Sequence, residues 1–205
     1  MRVLAALAAP LCLIAEMRVY RMEPGPGDRF AVEVEKTGLM SGKKHLFLFE
    51  RYRGKLSWDA ESPERSSVEW IVEAPSIVCK DTWVKPKEIV KIEKVAREEM
   101  LAAGRYPEIR FRSEAVVRKG EDEFEVRGGL TIRDRTVPVA VLVRRLPAQG
   151  TRLSFQGSAT VRLRDYGLKP PSALLGAIGT RNEMRVEFEV SAEAVGPANQ
   201  AVEQR

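Results

Sequence analysis

Asp122-Glu123-Phe124-Glu125-Val126-Arg127-Gly128-Gly129-Leu130-Thr131-Ile132-Arg133 is the stretch that decides the reading of this chain. Phe124, Val126, Gly128, Leu130 and Ile132 fall on one side of an extended backbone; Glu123, Glu125, Arg127, Thr131 and Arg133 fall on the other. Successive side chains of a β-strand point to opposite faces, so a period of two describes a strand with one wet and one dry face. Residues 183–193 repeat the pattern, with Met184, Val186, Phe188, Val190 and Ala192 set against Glu183, Arg185, Glu187, Glu189 and Glu193.

Working outward, strands are expected at 17–22, around Phe30-Ala31-Val32-Glu33-Val34, and at 68–74, 109–118, 137–146 and 151–164. Residues 45–58 read as one long strand or a bent pair, kinked at Gly54. Ala115 is assigned to the dry face of its strand. The Pro- and Gly-rich run Glu23–Asp28 is a turn, and residues 119–121 make a short hairpin connection. One segment departs from the period of two. Over residues 86–101, Ile89, Ile92, Ala96 and Met100 share one helical face, while Lys87, Lys91, Lys94 and Glu98 lie outside it. Pro86 suits the first helical position, Asp81 or Thr82 is placed to cap the entry, and Gly104 to end the helix. The prediction is an all-β fold: an antiparallel β-barrel of about eight strands with one inserted α-helix, a number at which a barrel fills with side chains or holds one small ligand. A two-sheet sandwich is the alternative.

The 205 residues suit one domain. The 34 basic and 29 acidic side chains leave a net +5 without any block of like charge, which describes solvated strand faces. Nucleic-acid binding is not expected, because the aromatics fall on dry registers instead of interleaving with a basic patch. A single histidine, His45, excludes a multi-histidine metal site, and no spacing proposes any other ligand set. Two cysteines, Cys12 and Cys79, make no disulfide framework, and Cys79 reads as a small core residue. No nucleophile–base pair stands out, so no catalytic residue, metal or cofactor is expected. Residues 1–15, uncharged from Val3 to Ala15, suggest a signal peptide and hence a periplasmic or secreted protein. A start at Met17 would make it cytoplasmic. The barrel domain is expected over 17–195, and residues 196–205 as a disordered tail.

Four segments in register resemble the YceI-like family, lipocalin-like barrels associated with polyisoprenoid binding. Phe49-Glu50-Arg51-Tyr52-Arg53-Gly54-Lys55-Leu56-Ser57-Trp58-Asp59 is similar to the family's Phe-x-x-Phe-x-Gly-x-Leu-x-Phe-Asp. Arg105-Tyr106-Pro107-Glu108-Ile109-Arg110-Phe111-Arg112-Ser113 resembles its Lys-Tyr-Pro-x-Ile-x-Phe-x-Ser. Gly128-Gly129-Leu130-Thr131-Ile132 with Val137-Pro138-Val139, and Arg164-Asp165-Tyr166-Gly167-Leu168, resemble two further signatures. Two family histidine segments are absent. Pro26-Gly27-Asp28-Arg29-Phe30 stands in place of the first, and the second gives way to the helix.

The resemblance and the dry faces together imply a non-enzymatic protein that binds, transports or sequesters an apolar lipid chain, isoprenoid or fatty-acyl. The expected apolar lining is Phe30, Val32, Trp70, Ile89, Met100, Phe111, Phe124, Val126, Val139, Phe155, Val161 and Phe188. Gly128, Gly157 and Ala159 sit on inward registers and are expected to leave room. Arg162, Arg164 and Lys44 are the candidates to meet a head group. The loop Lys169–Gly179 is a candidate portal flap or membrane-touching edge, which would give a transient membrane contact. A dimer stays open as the oligomeric state. The alternatives are a filled-core envelope interaction or scaffold protein, and a lipid-acting enzyme using the same pocket.

Overall fold

Tyr20 pairs with Ala194 and Arg21 with Glu193, which joins the first strand of the barrel to the last. The structure, a computed structural model, describes residues 17–149 and 152–195. The expected signal peptide (1–15) and tail (196–205) lie outside the described residues. The strands are β1 (Arg18–Met22), β2 (Arg29–Gly38), β3 (Lys44–Phe49), β4 (Tyr52–Trp58), β5 (Ser67–Glu73), β6 (Ile77–Cys79), β7 (Glu108–Arg118), β8 (Glu123–Ile132), β9 (Arg135–Gln149), β10 (Arg152–Arg162) and β11 (Ile178–Ala194). In the order β1-β4-β5-β7-β8-β9-β10-β11, with β11 returning to β1, they form a closed antiparallel barrel of 8 strands.

The other three strands continue the same sheet past β11 in the order β2-β3-β6. β11 pairs with β2 along Ile178–Glu189 and with β1 only at its end. β1 and β2 therefore act as one interrupted strand, and so do β3 and β4, and β5 and β6. The bent pair expected at 45–58 is this β3–β4 unit. Its break falls at Glu50-Arg51, not at Gly54. Asp28 bridges the first interruption. Its carboxylate accepts the Ser191 hydroxyl at 2.6 Å and the Tyr52 hydroxyl at 3.3 Å, tying the turn to β11 and β4. Burial, with Asp28 second, raises the Tyr52 pKa, so this phenol stays a donor.

A β-bulge resets one register. The β7–β8 pairing shifts between Ser113 and Ala115, which turns Val116 inward and leaves Ala115 exposed. The dry assignment of Ala115 is thereby corrected: one extra residue flips every later side chain of the strand. Two glycines are corrected as well. A Cβ on Gly128 would lie 2.1 Å from the Arg112 carbonyl oxygen, and one on Gly157 would lie 2.3 Å from the Phe188 ring. Both admit a close neighbour and leave no vacant space.

The inserted helix is α1 (Pro86–Lys94), continued by a π-helical turn over Val95–Met100. Its entry has no side-chain cap. It ends before Gly104, at Ala102, whose φ of 47° reverses the chain while the Ala103 N–H reaches the Arg97 carbonyl at 2.9 Å. At the opposite end of the barrel, the fully buried Asp59 closes the β4–β5 connection. It accepts the Ser62 N–H at 2.9 Å and the Glu61 N–H at 3.1 Å, and pairs with Arg65. These donors, Ser62 first, hold its carboxyl below the usual range, so the connection keeps its anionic form until strongly acid pH.

The contact at Gly128 gives a test. Gly128→Ala forces its methyl group against backbone, and overpacking of this kind costs about 1–3 kcal/mol. Urea unfolding is expected to show a lower midpoint with unchanged slope.

Candidate functional site

The inward positions of the barrel do not fill it. They enclose a cavity of about 740 Å³ with an overwhelmingly apolar wall. Its floor is aromatic: the Trp58 ring meets Phe124 edge-on at 5.6 Å and Phe155 at 5.9 Å. Above the floor, Phe30 stacks on Trp70 at 5.9 Å and on Phe188 at 6.2 Å. These rings interlock at distances typical of aromatic packing and hold the wall rigid without blocking the bore. Toward the other end the wall becomes aliphatic, with Ile132, Val161, Leu163 and Leu168 from the barrel and Met100 and Leu101 from the helical segment. The Trp70 indole N–H is buried and unpaired among the described residues.

Charge gathers at one end. Lys36 stands near the end of β2, His45 near the start of β3, Lys91 and Glu99 come from the helical segment, and Lys169 leads the stretch Lys169–Ala173 along the wall. The ends of β2 and β3, the helical segment and the loop after β10 meet at this rim. Burial lowers the Lys36 pKa, with Asp81 pulling the other way. An anionic group placed beside Lys36 would push its pKa back up.

Eleven of the twelve expected lining residues stand on this wall: Phe30, Val32, Trp70, Met100, Phe111, Phe124, Val126, Val139, Phe155, Val161 and Phe188. Ile89 does not; it packs against the core from outside the cavity. Of the three small residues, Ala159 alone is on the wall. The basic rim is corrected. Arg162 and Lys44 sit on outward registers, where they pair with Glu183 at 3.2 Å and Glu33 at 3.1 Å. Arg164 is exposed and its backbone N–H is bound by Asn182. The lysines that reach the cavity are Lys36, Lys169 and Lys91, the last exposed and itself paired with Glu88 at 3.1 Å. Lys36 continues the inward register of Phe30, Val32 and Val34, a legible signal, whereas Lys91 on the helix and Lys169 in a connection carry no strand register.

His45 also gains a partner that its sequence neighbourhood does not suggest. Its Nδ1 lies 2.5 Å from Asp81 Oδ2, and Asp81 Oδ1 accepts the Leu46 N–H at 2.8 Å. Asp81 thus ties β3 to the segment after β6 instead of capping the helix. Trp83 stacks on the His45 ring at 5.3 Å. Cys79, buried beside them, has its thiol pushed up to about 11, chiefly by burial, so it is unreactive at neutral pH.

The YceI-like domain family matches residues 29–192. A UPF0312 protein of Pseudomonas putida (strain W619) is 28% identical over 152 residues, which is 72% of this chain and 71% of the relative. A UPF0312 protein of Pseudomonas fluorescens (strain SBW25) is also 28% identical over 152 residues, with the same 72% and 71% coverage. Among solved structures, Burkholderia cenocepacia BcnA superposes with a TM-score of 0.65 at 16% identity, over 81% of this chain and 96% of that one. The Campylobacter jejuni YceI protein superposes at 0.60 with 13% identity, over 74% of this chain and 85% of its own. At such identities the structural likeness speaks for the fold alone.

The Cys79 environment predicts slow chemistry. In a Cys12→Ser background, alkylation of the folded protein at pH 8 is expected to run about 100-fold slower than in urea, because a thiol titrating about two units higher has that much less thiolate. Mass spectrometry over time follows it, and the folded rate is expected to climb tenfold per pH unit up to about 11.

Proposed function

The chain belongs to the YceI-like domain family, and from that premise we propose that it binds and carries an apolar lipid, isoprenoid or fatty-acyl, inside its barrel. The observation that carries this reading is the cavity of about 740 Å³ behind a predominantly apolar wall, a volume within the range of small-molecule sites. Partition would drive binding. Each buried methylene contributes about 0.8 kcal/mol, so roughly ten supply about 8 kcal/mol, micromolar affinity before ordering costs. The tail would lie along the aromatic floor and the aliphatic bore. An anionic head group would stop at Lys36, Lys91 and Lys169. The protein acts in this reading as a carrier, with no chemical step.

Loading would take place at a membrane. Leu39, Leu174 and Leu175 are 77%, 68% and 110% exposed on two adjoining turns at the charged end of the cavity. The turns are held together by the Leu39 N–H donating to the Ala177 carbonyl at 3.0 Å. Leu174 and Leu175 have φ of 49° and 53°, a conformation costly for such residues, and it presents both side chains to solvent. Lys43 and Lys169 flank them, which suits an anionic bilayer surface.

The enzyme reading has one observation in its favour: the His45–Asp81 pair has the form of an oriented general base, and the His45 ring reaches the cavity wall. Turnover of an isoprenyl or acyl ester that disappears in His45→Ala would support it over the carrier.

Two experiments test the carrier. Native mass spectrometry and solvent extraction of the purified protein are expected to recover one lipid per barrel, and Ala159→Trp, which projects an indole into the bore, is expected to lower uptake of a fluorescent fatty acid by about tenfold or more, the equivalent of about two lost methylenes. Undiminished uptake would refute the interior site. Leu174→Asp with Leu175→Asp is expected to slow extraction of that probe from anionic vesicles while its affinity in detergent stays unchanged.

A further inference from the structure

Behind the rim of the cavity, three side chains of different chemistry converge. His45 is the second residue of β3, Cys79 is the last residue of β6 and pairs with Phe47 of β3, and Asp81 follows two positions on. Their donor atoms, an imidazole nitrogen, a thiol sulfur and a carboxylate oxygen, all lie within 4.8 Å of one another. The cluster is out of solvent: the side chains of His45 and Asp81 are 12% and 1% exposed, and Cys79 is 6% exposed.

A hydrogen-bonded His–Asp pair accounts for two of these residues. It does not account for a thiol at the same point, nor for how firmly all three are oriented. Asp81 is anchored through its second oxygen by the Leu46 N–H at 2.8 Å. The Cys79 backbone N–H is held by Glu93 Oε1 at 2.8 Å. The His45 ring is packed by Trp83, whose own indole N–H donates to the Lys44 carbonyl at 2.8 Å. Supports of this kind fix ligands for a metal, and their geometry is present without one.

We propose that His45, Cys79 and Asp81 form a three-ligand site for a divalent transition metal, with Zn²⁺ the ion best matched to the donors. A mixed nitrogen, sulfur and oxygen set excludes the hard oxygen-seeking ions Mg²⁺ and Ca²⁺ and suits zinc, which also accepts three protein ligands with a fourth position open. Metal–ligand bonds of about 2.0–2.3 Å place tetrahedral donor atoms roughly 3.3–3.8 Å apart, inside the spread of this cluster. On binding, the Cys79 thiol gives its proton to water as the metal–sulfur bond forms. His45 shifts its ring proton from Nδ1 to Nε2 by exchange with water and binds through Nδ1, and the short contact to Asp81 opens into two bonds to one ion. The thiolate and carboxylate then carry two negative charges against the two positive charges of the ion, so the buried site is neutral overall. Because the three ligands come from β3, from β6 and from the segment leading to α1, the ion would fasten the outlying strands to the helix entry.

Cobalt reports on this geometry directly. Protein dialysed against chelator and titrated with Co²⁺ is expected to develop a near-ultraviolet thiolate-to-cobalt charge-transfer band and intense visible bands of four-coordinate cobalt. Both are expected to saturate at one equivalent and to vanish when Zn²⁺ is added. Cys79→Ser, a near-isosteric change whose folding circular dichroism verifies, is expected to lose the charge-transfer band and to weaken Zn²⁺ by about tenfold or more, and Asp81→Asn to weaken it similarly. Cys12→Ser is expected to change neither. Folded wild-type protein without a charge-transfer band at one equivalent of Co²⁺, or an equal band in Cys79→Ser, would overturn the site. The readout is independent of lipid, so it can fail while the carrier reading stands.

Discussion

Closure of the sheet through β11 is the constraint on which the rest depends. This 17-residue strand lies beside β10 along most of its length, beside β2 over its first part and beside β1 at its end. Only when β1 meets Ala194 do the backbone donors of both edges find partners, and only then do the dry faces of eight strands look at one another. The β1–β11 ladder is short. The Asp28 carboxylate reinforces it by linking Ser191 of β11 and Tyr52 of β4 across the gap between β1 and β2.

Closure alone would allow a solid core. The interior stays open because its large residues pack against one another along the wall. Phe30, Trp70 and Phe188 stack face to face, Phe188 settles over Gly157, and Trp58, Phe124 and Phe155 close the floor edge-on. Rings that satisfy each other sideways need no partner across the bore. The aliphatic residues above them are too short to span it. The cavity is therefore a product of where bulk is placed, with the total amount of apolar side chain unremarked by it.

The rim is chemically different because strand ends are where regular alternation stops. Lys36 lies near the end of β2 and His45 near the start of β3, Lys91 and Glu99 lie on the helical segment, and Lys169 lies in the connection after β10. There the chain can hold a polar side chain over an apolar interior, partly burying it in the case of Lys36. The same end carries the His45–Asp81–Cys79 cluster and the exposed leucines of the Leu39 and Leu174 turns, so recognition, loading and any metal would share one face of the molecule.

Much of this was legible in the chain. Period-two alternation named the strands and their dry faces, because each strand must carry its own code for inside and outside. Helical spacing located the segment from Pro86 and its lining residue Met100, and ten further lining residues followed from strand register. Tertiary structure decided the rest. Ala115 turned outward because a bulge cannot be seen in a strand that still alternates on either side of it. Gly128 and Gly157 looked like space and are contacts, because what a missing side chain admits belongs to the neighbouring strand. Lys36, Lys91 and Lys169 stand at the charged end of the cavity where Arg162, Arg164 and Lys44 do not, because that end gathers a strand, a helix and a loop that are distant in sequence. His45 and Asp81 stand 36 positions apart, and no local pattern joins them. Alternation reports which side of a strand is dry; whether the dry sides meet or leave a hollow depends on strand number and side-chain placement around a closed ring, which only the folded chain possesses.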